Sequence, residues 1–265
     1  DQIVISPQPV DYLQKILSSR AYDVAVETPL QEAKVLSAQL HNRILFKRED
    51  LQPVFSFKLR GAHNKIASLN NEQLKKGIVA CSAGNHAQGV ALSASKLGID
   101  AVIVMPVATP SIKTDNVKKL GGTVKLFGNN YDEAQAEALR MVEDEGRSLI
   151  HPFDDPEVIA GQGTIGMEIL KSMNGQDLDA IFCCVGGGGL ISGVAAYVKR
   201  VRPEVKIIGV EAEDAAGMTV SLKAGRRVNL DTVGLFADGA AVRMVGEETF
   251  RLAKDYVDIM ITVTN

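Results

Sequence analysis

The 265-residue sequence contains few cysteines, and their spacing suits neither a metal site nor a disulfide framework. Two of its three cysteines, Cys183 and Cys184, are adjacent, and neighbouring cysteines rarely bond to each other. No C-x-x-C pair occurs, so nothing predicts a zinc site. We therefore expect no metal, a reducing compartment, and cysteines (Cys81 is the third) that act as small buried strand residues.

The sequence also lacks an excess of positive charge and any apolar run long enough to span a membrane. Its 29 Lys and Arg residues are balanced by 32 Asp and Glu residues, which gives a net charge of −3. Nucleic acid and anionic membranes favour basic partners, so we expect neither as a partner. Residues 1–7 show no signal-peptide pattern. Together these absences favour a soluble protein, and the cytoplasm, the plastid stroma and the mitochondrial matrix all fit as its reducing compartment.

Short apolar, β-branched segments alternate with helical patterns along almost the whole chain. Strands are predicted at residues 44–46, 78–81, 101–105, 123–127, 148–150, 180–185, 206–210 and 259–263. Helices are predicted at residues 58–69, 85–97, 111–120, 131–145, 156–173, 190–202 and 247–257. Strands this apolar are typical of parallel sheets covered by helices and joined by right-handed crossovers. The sequence therefore predicts an α/β fold with its site beyond the carboxyl ends of the strands.

The βαβα pattern from Gly77 to His151 predicts a small inserted α/β domain. Residues 1–76 and 152–265 would then form one larger, discontinuous domain. Each domain would carry an open, twisted parallel sheet with helices on both faces.

Four consecutive glycines, Gly186 to Gly189, follow a predicted strand and precede a predicted helix. Without Cβ atoms, their N–H groups can converge on one anion, and the start of the helix adds a positive end. A tight turn is the plainer interpretation, but a turn needs fewer glycines. No Lys-Ser or Lys-Thr follows, which excludes a P-loop. We predict a phosphate site at a surface cleft, where an added side chain would leave the fold intact.

Lys58 lies among apolar neighbours that include Val54, Phe55 and Phe57. Such surroundings favour the neutral amine, which is the form that attacks a carbonyl. Asn85 follows Gly84 at the start of an apolar helix, where it could cap the helix, bind a ring hydroxyl, or do both. A nucleophilic lysine, this asparagine and a phosphate-sized glycine run, in this order, together suit pyridoxal phosphate (PLP), with Phe57 close to its ring.

The turn from Ser82 to His86 offers N–H groups and a hydroxyl to a substrate carboxylate, although a histidine at a helix start is commonly structural. Three other patterns have a plain structural interpretation. Residues 161–166 match the dinucleotide fingerprint G-x-G-x-x-G, but they follow a helix start rather than a strand and favour a helix interior. Residues 47–50 predict an ion-pair cluster. Glu211, at a strand end, is expected to be a solvent-exposed carboxylate rather than a site or metal ligand.

The chain resembles the biosynthetic threonine deaminases, which are fold-type II PLP enzymes of the tryptophan synthase β-like family. The resemblance covers nearly the whole chain and is carried by residues 47–62, 82–89, 152–156, 158–164, 186–190, 236–239 and 245–251. It implies a PLP-dependent lyase that converts L-threonine to 2-oxobutyrate and ammonia, the first step of isoleucine biosynthesis. L-Serine would give pyruvate. We also expect a homo-oligomer, either a dimer or a tetramer.

The resemblance also implies roles for individual residues. Lys58 would hold the cofactor aldehyde and act as the base at the substrate Cα, and Asn85 would bond the 3′-oxygen of the cofactor. The phosphate would be bound by Gly186, Gly187, Gly188, Gly189 and Leu190. The substrate carboxylate would be bound by Ser82, Ala83, Gly84, Asn85 and His86.

The chain departs from the family pattern at several positions and in length. Cys183-Cys184 and His151 stand where the family usually has proline, His63 replaces a usual tyrosine, and Ala241 replaces a usual valine. Family catalytic domains run on past residue 265, with a serine for the pyridine nitrogen and then a regulatory domain. We therefore expect the large domain to be truncated here and full activity to require more sequence.

Three alternatives remain beside this function. A serine racemase/dehydratase needs a second acid, usually a serine, where this chain has Ala83, and Gly217 stands where a metal ligand would be needed. A β-replacing synthase would need its usual carboxylate-binding loop, which we do not find. The third alternative is a non-catalytic fragment that binds PLP without turnover.

Overall fold

The structure is a computed structural model that describes residues 10–265, so the expectation for residues 1–7 lies outside the described residues. The helices are α1 (Tyr12–Leu17), α2 (Lys34–Leu40), α3 (Lys58–Ala67), α4 (Asn71–Lys76), α5 (Asn85–Leu97), α6 (Ser111–Lys119), α7 (Tyr131–Glu145), α8 (Pro156–Met173), α9 (Gly189–Val201), α10 (Gly217–Ala224) and α11 (Glu247–Tyr256). The strands are β1 (Leu30–Glu32), β2 (Leu45–Lys47), β3 (Ile78–Cys81), β4 (Ala101–Met105), β5 (Thr123–Leu126), β6 (Ser148–Leu149), β7 (Ala180–Cys184), β8 (Lys206–Ala212) and β9 (Ile259–Val263).

Two parallel sheets organise the chain, as predicted. The first has the strand order β5-β4-β3-β6, and the second has the order β7-β8-β9. Every residue of β3 and β4 is buried, because helices cover both faces of these central strands. The buried, β-branched composition of these strands is what made them predictable from the sequence.

The strand predicted at residues 44–46 does not join a parallel sheet. Residues 45–47 form β2, which pairs antiparallel with β1 in a separate two-stranded ribbon. The expectation of parallel pairing for this segment is therefore wrong. Its partner, β1, has no buried residue and gave no strand pattern in the sequence.

Close packing of α3, α8 and α9 joins the two sheets, with α3 also packed on α5. Glycines make this approach possible. A Cβ on Gly161 would lie 2.6 Å from the carbonyl oxygen of Arg60, and one on Gly193 would lie 2.6 Å from the amide nitrogen of Gly163. The G-x-G-x-x-G sequence lies wholly inside α8, so its interpretation as a helix interior is confirmed. The glycines serve helix contacts rather than a nucleotide.

A buried ion network lies where α3 meets α8. The guanidinium of Arg60 is fully buried and binds Glu49 at 2.7 Å and Glu168 at 2.5 Å, while Lys47 pairs with Glu168. The hydroxyl of Tyr22 donates to Glu168 at 2.7 Å. The ion-pair cluster predicted at residues 47–50 is confirmed, and it extends to α3 and α8.

Two expectations about single side chains are wrong. Cys81 and Cys183 are buried as predicted, but Cys184 is exposed because alternate residues of β7 face opposite sides. Glu211 is buried rather than a surface residue, and its carboxylate accepts hydrogen bonds from the backbone N–H groups of Met218 (2.8 Å) and Thr219 (2.9 Å). Burial raises the pKa of Glu211. Its carboxylate therefore holds the first turn of α10.

No helix within residues 10–265 has the length and apolar character needed to cross a membrane. Within the same residues, no group of three or more His, Cys, Asp or Glu side chains is arranged to hold a metal ion.

Candidate active site

Lys58 is the first residue of α3, and its amine lies in a half-buried position between apolar and carbonyl groups. The Nζ atom donates a hydrogen bond to the carbonyl oxygen of Pro152 at 2.9 Å and lies 5.5 Å from the centre of the Phe57 ring. Burial lowers the pKa of the Lys58 amine to about 8, and the sulfur of Cys184 opposes part of this shift. The neutral form of the Lys58 amine is therefore far more populated near physiological pH than that of an ordinary lysine.

The segment that receives the Lys58 amine is a tight turn, residues 151–154. The Nδ1 atom of His151 accepts hydrogen bonds from the backbone N–H groups of Phe153 (3.2 Å) and Asp154 (2.8 Å). The carboxylate of Asp154 then accepts from the first three N–H groups of α11, residues 247–249, at 2.8 to 3.2 Å. This cap satisfies donors that a helix start leaves free. The turn is thus fixed at both ends.

The glycine run forms a buried loop between β7 and α9. Gly187, Gly188 and Gly189 are buried, and Gly188 has φ +98°, a left-handed conformation that favours glycine. Within residues 10–265, the backbone N–H groups of Gly186 to Leu190 meet no hydrogen-bond acceptor. Buried N–H groups are nearly always paired, so the three free donors of Gly187, Gly188 and Gly189 at a helix start call for an anion, and the free donors of the half-buried Gly186 and Leu190 lie beside them in the chain.

The glycine loop is packed tightly against neighbouring residues. The expectation of an open cleft that tolerates added side chains is therefore wrong. A Cβ on Gly187 would overlap the ring of Phe153, and one on Gly186 would lie 2.9 Å from Cα of Ala240. The hydroxyl of Thr249 donates to the Gly187 carbonyl at 2.6 Å. Added side chains would therefore disturb the fold, because the loop is packed against Phe153, Ala240 and Thr249.

The start of α5 supplies a second set of free donors. Gly84 is the N-cap residue and Asn85 is the first helical residue, so the interpretation of Asn85 as an N-cap is wrong. The Asn85 side chain is exposed, and the N–H groups of Asn85 and His86 have no acceptor within the described part of the chain. One turn later, a Cβ added to Gly89 would lie 3.0 Å from the backbone of Leu59. The start of α5 therefore lies close to the start of α3.

His86 is buried beside Lys58. Its Nε2–H donates to the carbonyl oxygen of Ile150 at 2.7 Å. Burial, with a smaller effect of the Lys58 charge, lowers the pKa of His86 to about 3. The imidazole is therefore neutral at physiological pH and holds α5 to the segment that leads into the 151–154 turn.

The structure brings together most of the residues that the sequence singled out. The Lys58 amine contacts Pro152 and lies near the Phe57 ring, Phe153 of the same turn supports the glycine loop, and α5 packs against α3. Ala83 and Leu190 are half-buried; Ala83 packs on the core of the four-stranded sheet and Leu190 on that of the three-stranded sheet. Ser82 accepts a hydrogen bond from the Gly84 N–H at 3.2 Å, which shapes the turn before α5.

Sequence reasoning missed the residues that hold these groups in place. Pro152 acts through its backbone carbonyl, a group that every residue has, so the sequence cannot single it out. Thr249 lies almost 200 positions from Lys58, so the sequence gives no sign that the two belong to one site. His151 was noted only as a departure from proline. The one usable signal was its place next to Pro152-Phe153-Asp154, at the end of a predicted strand.

The free donors and the lysine fit one kind of group. Five N–H donors at a helix start suit a dianionic phosphate, and an amine with a lowered pKa suits an aldehyde. The family of pyridoxal-phosphate dependent enzymes matches residues 23–265, and the chain belongs to this family. PLP is the cofactor of the family, and the residues present fit it.

Within this family, the chain is highly similar in sequence to proteins named as threonine dehydratases. The chain is 62% identical over 255 residues to the chloroplastic biosynthetic threonine dehydratase of Arabidopsis thaliana, covering 96% of this chain and 43% of the relative. It is 59% identical over 256 residues to the biosynthetic L-threonine dehydratase of Burkholderia multivorans, covering 96% and 50%. The chain thus spans about half the length of the curated relatives that it matches.

Two solved structures are similar in fold. The processed form of threonine deaminase isoform 2 from Solanum lycopersicum has a TM-score of 0.93 at 53% identity, covering 96% of this chain and 69% of that one. Maize serine racemase has a TM-score of 0.90 at 35% identity, covering 95% and 76%. Both support the fold-type II assignment.

Proposed function

We propose that this chain binds PLP through Lys58 and removes water and then ammonia from L-threonine. One observation carries the proposal: the amine of Lys58, with its lowered pKa, is held by the same short turn that supports the glycine loop. The cofactor aldehyde and its phosphate are the two ends of one small molecule, and this turn sets the distance between their sites. The high identity to threonine dehydratases gives the substrate class.

In the proposed cofactor site, backbone N–H groups contact the phosphate, and side chains contact the ring and the aldehyde. The N–H groups of Gly186 to Leu190 bind the phosphate without help from a lysine or arginine. Phe57, whose ring centre lies 5.5 Å from the Lys58 amine, would pack near the cofactor ring, and the exposed amide of Asn85 would bond its 3′-oxygen. Lys58 holds the aldehyde carbon.

When bound, PLP withdraws electrons from the substrate Cα and so makes its proton removable. The Lys58 amine would accept that proton at Nζ. A neutral amine is required for both tasks, and burial makes this form much easier to reach at physiological pH than in an ordinary lysine. The Pro152 carbonyl orients Nζ by accepting one of its hydrogens.

The substrate carboxylate is proposed to bind at the start of α5. The free N–H groups of Asn85 and His86 and the positive end of this 13-residue helix favour an anion. The hydroxyl of Ser82 lies in the same turn. Binding there would place the substrate Cα between α5 and Lys58, because these two helix starts are packed together.

The overall reaction is balanced. L-Threonine loses water across Cα and Cβ, and later addition of water releases ammonia, so that 2-oxobutyrate and ammonia are the products. L-Serine gives pyruvate and ammonia by the same steps. The name of several relatives as biosynthetic threonine dehydratases supports a place at the start of isoleucine synthesis.

We propose residues 77–151 as the small inserted domain, with residues 1–76 and 152–265 as the large one. The four-stranded sheet lies wholly within the first range, and the three-stranded sheet lies wholly within the second. A homo-oligomer, dimer or tetramer, also remains a proposal. Relatives are named chloroplastic or mitochondrial, which supports the plastid stroma or the mitochondrial matrix beside the cytoplasm.

Serine racemisation is the second candidate, because maize serine racemase shares the fold at 35% identity. A racemase needs a proton donor on the far side of the substrate Cα. The half-buried Ala83, in the turn before α5, cannot donate a proton. The structure therefore favours elimination over racemisation.

A three-substrate assay tests the proposal. The protein is saturated with PLP and given L-threonine, L-serine and D-serine separately, and ketoacid and serine chirality are measured. We expect 2-oxobutyrate from L-threonine, less pyruvate from L-serine, and no D-serine. A PLP absorbance band with no ketoacid would favour the non-catalytic fragment, and D-serine from L-serine would favour the racemase.

A further inference from the structure

His151 has no role in the function proposed above, yet it lies at the centre of the turn that Lys58 contacts. Its Nδ1 atom accepts two hydrogen bonds, from the N–H groups of Phe153 and Asp154. An imidazole nitrogen that accepts must carry its lone pair, so the ring is neutral with its proton on Nε2. The side chain thus acts as an acceptor that closes the turn.

The turn that His151 closes touches the site at two separate points. The Pro152 carbonyl accepts from Nζ of Lys58, and the Phe153 ring lies where a Cβ on Gly187 would be. The His151 ring itself supports Phe153 edge to face, with ring centres 4.7 Å apart at 88°. One side chain therefore lies behind both the lysine and the glycine loop.

We propose that His151 is a positioning residue that sets the distance between the Lys58 amine and the glycine loop through the acceptor atom Nδ1. The proposal rests on the cofactor site proposed above and adds a residue to it. If Nδ1 stops accepting, the Phe153 and Asp154 N–H groups lose their partner. The Pro152 carbonyl and the Phe153 ring are then free to move, and the two ends of the cofactor no longer fit together.

Protonation would remove the acceptor, so the turn has a pH dependence with a definite sign. Burial lowers the pKa of His151, with Lys58 acting in the same direction and Asp154 and Asp155 opposing it. His86 is the other titratable group that interacts with it electrostatically. Because the pKa is lowered, the acceptor is present at neutral pH and is lost only as pH falls through a value below that of ordinary histidine.

Two substitutions separate the acceptor from the ring. His151→Asn keeps an acceptor oxygen at nearly the position of Nδ1 but loses the ring. His151→Phe keeps the ring against Phe153 but has no acceptor. PLP affinity, measured by absorbance titration, is the readout. We expect His151→Asn to bind PLP within about threefold of the native protein and His151→Phe to bind at least tenfold more weakly, a loss of about 1.4 kcal/mol.

The titration is repeated from pH 5 to pH 8 with the native protein and His151→Asn. We expect affinity to decline at acid pH more steeply in the native protein, because asparagine does not titrate. If circular dichroism shows that His151→Phe does not fold, this comparison still tests the proposal, because it needs only the native protein and His151→Asn. Identical acid limbs in the two proteins would overturn the proposal.

Equal affinity in His151→Phe and the native protein would overturn it as well. So would a weakening in His151→Asn as large as or larger than that in His151→Phe, since an acceptor at the position of Nδ1 would then not be enough to keep the site. In each of these cases the native protein still binds PLP, and the proposed function stands. If the native protein binds no PLP, the proposed cofactor site fails and this proposal fails with it.

Discussion

The amine of Lys58 donates a hydrogen bond to the carbonyl oxygen of Pro152 across 2.9 Å. This contact joins the start of α3 to a turn almost a hundred residues further along the chain. A carbonyl accepts from the amine in either protonation state, so the contact orients Nζ without fixing its charge. Burial sets the charge instead, and the two effects together leave an oriented amine that is easily deprotonated.

The first prediction concerns pH. With a pKa of about 8, the Lys58 amine is neutral in about one molecule in ten at pH 7, against roughly one in three thousand for an ordinary lysine. Because the pKa is lowered, the reactive form grows as pH rises through about 8. We expect the rate of PLP attachment to cofactor-free protein to follow a curve with its midpoint there. A midpoint near the ordinary lysine value of about 10.4 would contradict this.

The second prediction concerns the buried ion network. Arg60→Met leaves the carboxylates of Glu49 and Glu168 without their main partner, which we expect to destabilise the protein by about 3–5 kcal/mol. Arg20→Met, which removes an exposed guanidinium from the exposed carboxylate of Asp23, is the matched control and should cost less than about 1 kcal/mol. Urea unfolding of both variants measures the difference. Equal midpoints would show that the network is solvated rather than buried.

The third prediction concerns the contact between α8 and α9. A Cβ on Gly193 would overlap the Ile159 carbonyl and crowd Gly163, so Gly193→Ala should cost about 1–3 kcal/mol. Gly239→Ala is the control, because no atom lies within 4 Å of its projected Cβ and its φ is not left-handed. Thermal unfolding should separate the two variants by several degrees. Indistinguishable curves would mean that the helices can move apart at no cost.

Much of the fold could be predicted because its central strands are short, apolar and buried on both faces. Strands β3 and β4 and helices α5, α7 and α8 begin and end where the pattern placed them. Helices α2 and α4 were missed because neither has a buried residue, so no apolar periodicity marks them. Helices α1 and α10 were missed as well, since each has at most eight residues.

Some residues of the candidate site could likewise be predicted from the sequence, and others could not. Lys58, Asn85 and the glycine run could be predicted because their chemistry depends on residue type and local order. The Pro152 carbonyl, the His151 acceptor and the Asp154 cap could not, because they act through geometry between distant segments. The prediction for Glu211 was wrong for the same reason. The sequence does not show that the start of α10 lies against this carboxylate and donates two backbone hydrogen bonds to it.

The fourth prediction concerns reaction specificity. Ala83→Ser adds a hydroxyl in the turn before α5, where we propose that the substrate carboxylate binds. If position 83 faces the far side of the substrate Cα, some D-serine should form from L-serine, measured by chiral chromatography. Ala83→Cys would be a useful companion, since a thiol also donates a proton. Absence of D-serine in both would show that geometry, rather than the missing donor, prevents racemisation.

The central claim, that Lys58 holds the cofactor aldehyde, is tested most directly by trapping the bond. The protein is incubated with PLP, reduced with borohydride, digested and mapped by mass spectrometry, with Lys58→Ala and Lys65→Ala treated in parallel. We predict one modified peptide, containing Lys58, in the native protein and in Lys65→Ala. In Lys58→Ala we predict no modified peptide, no visible absorbance band and no ketoacid from L-threonine. Stoichiometric modification of another lysine, or turnover by Lys58→Ala, would contradict the account.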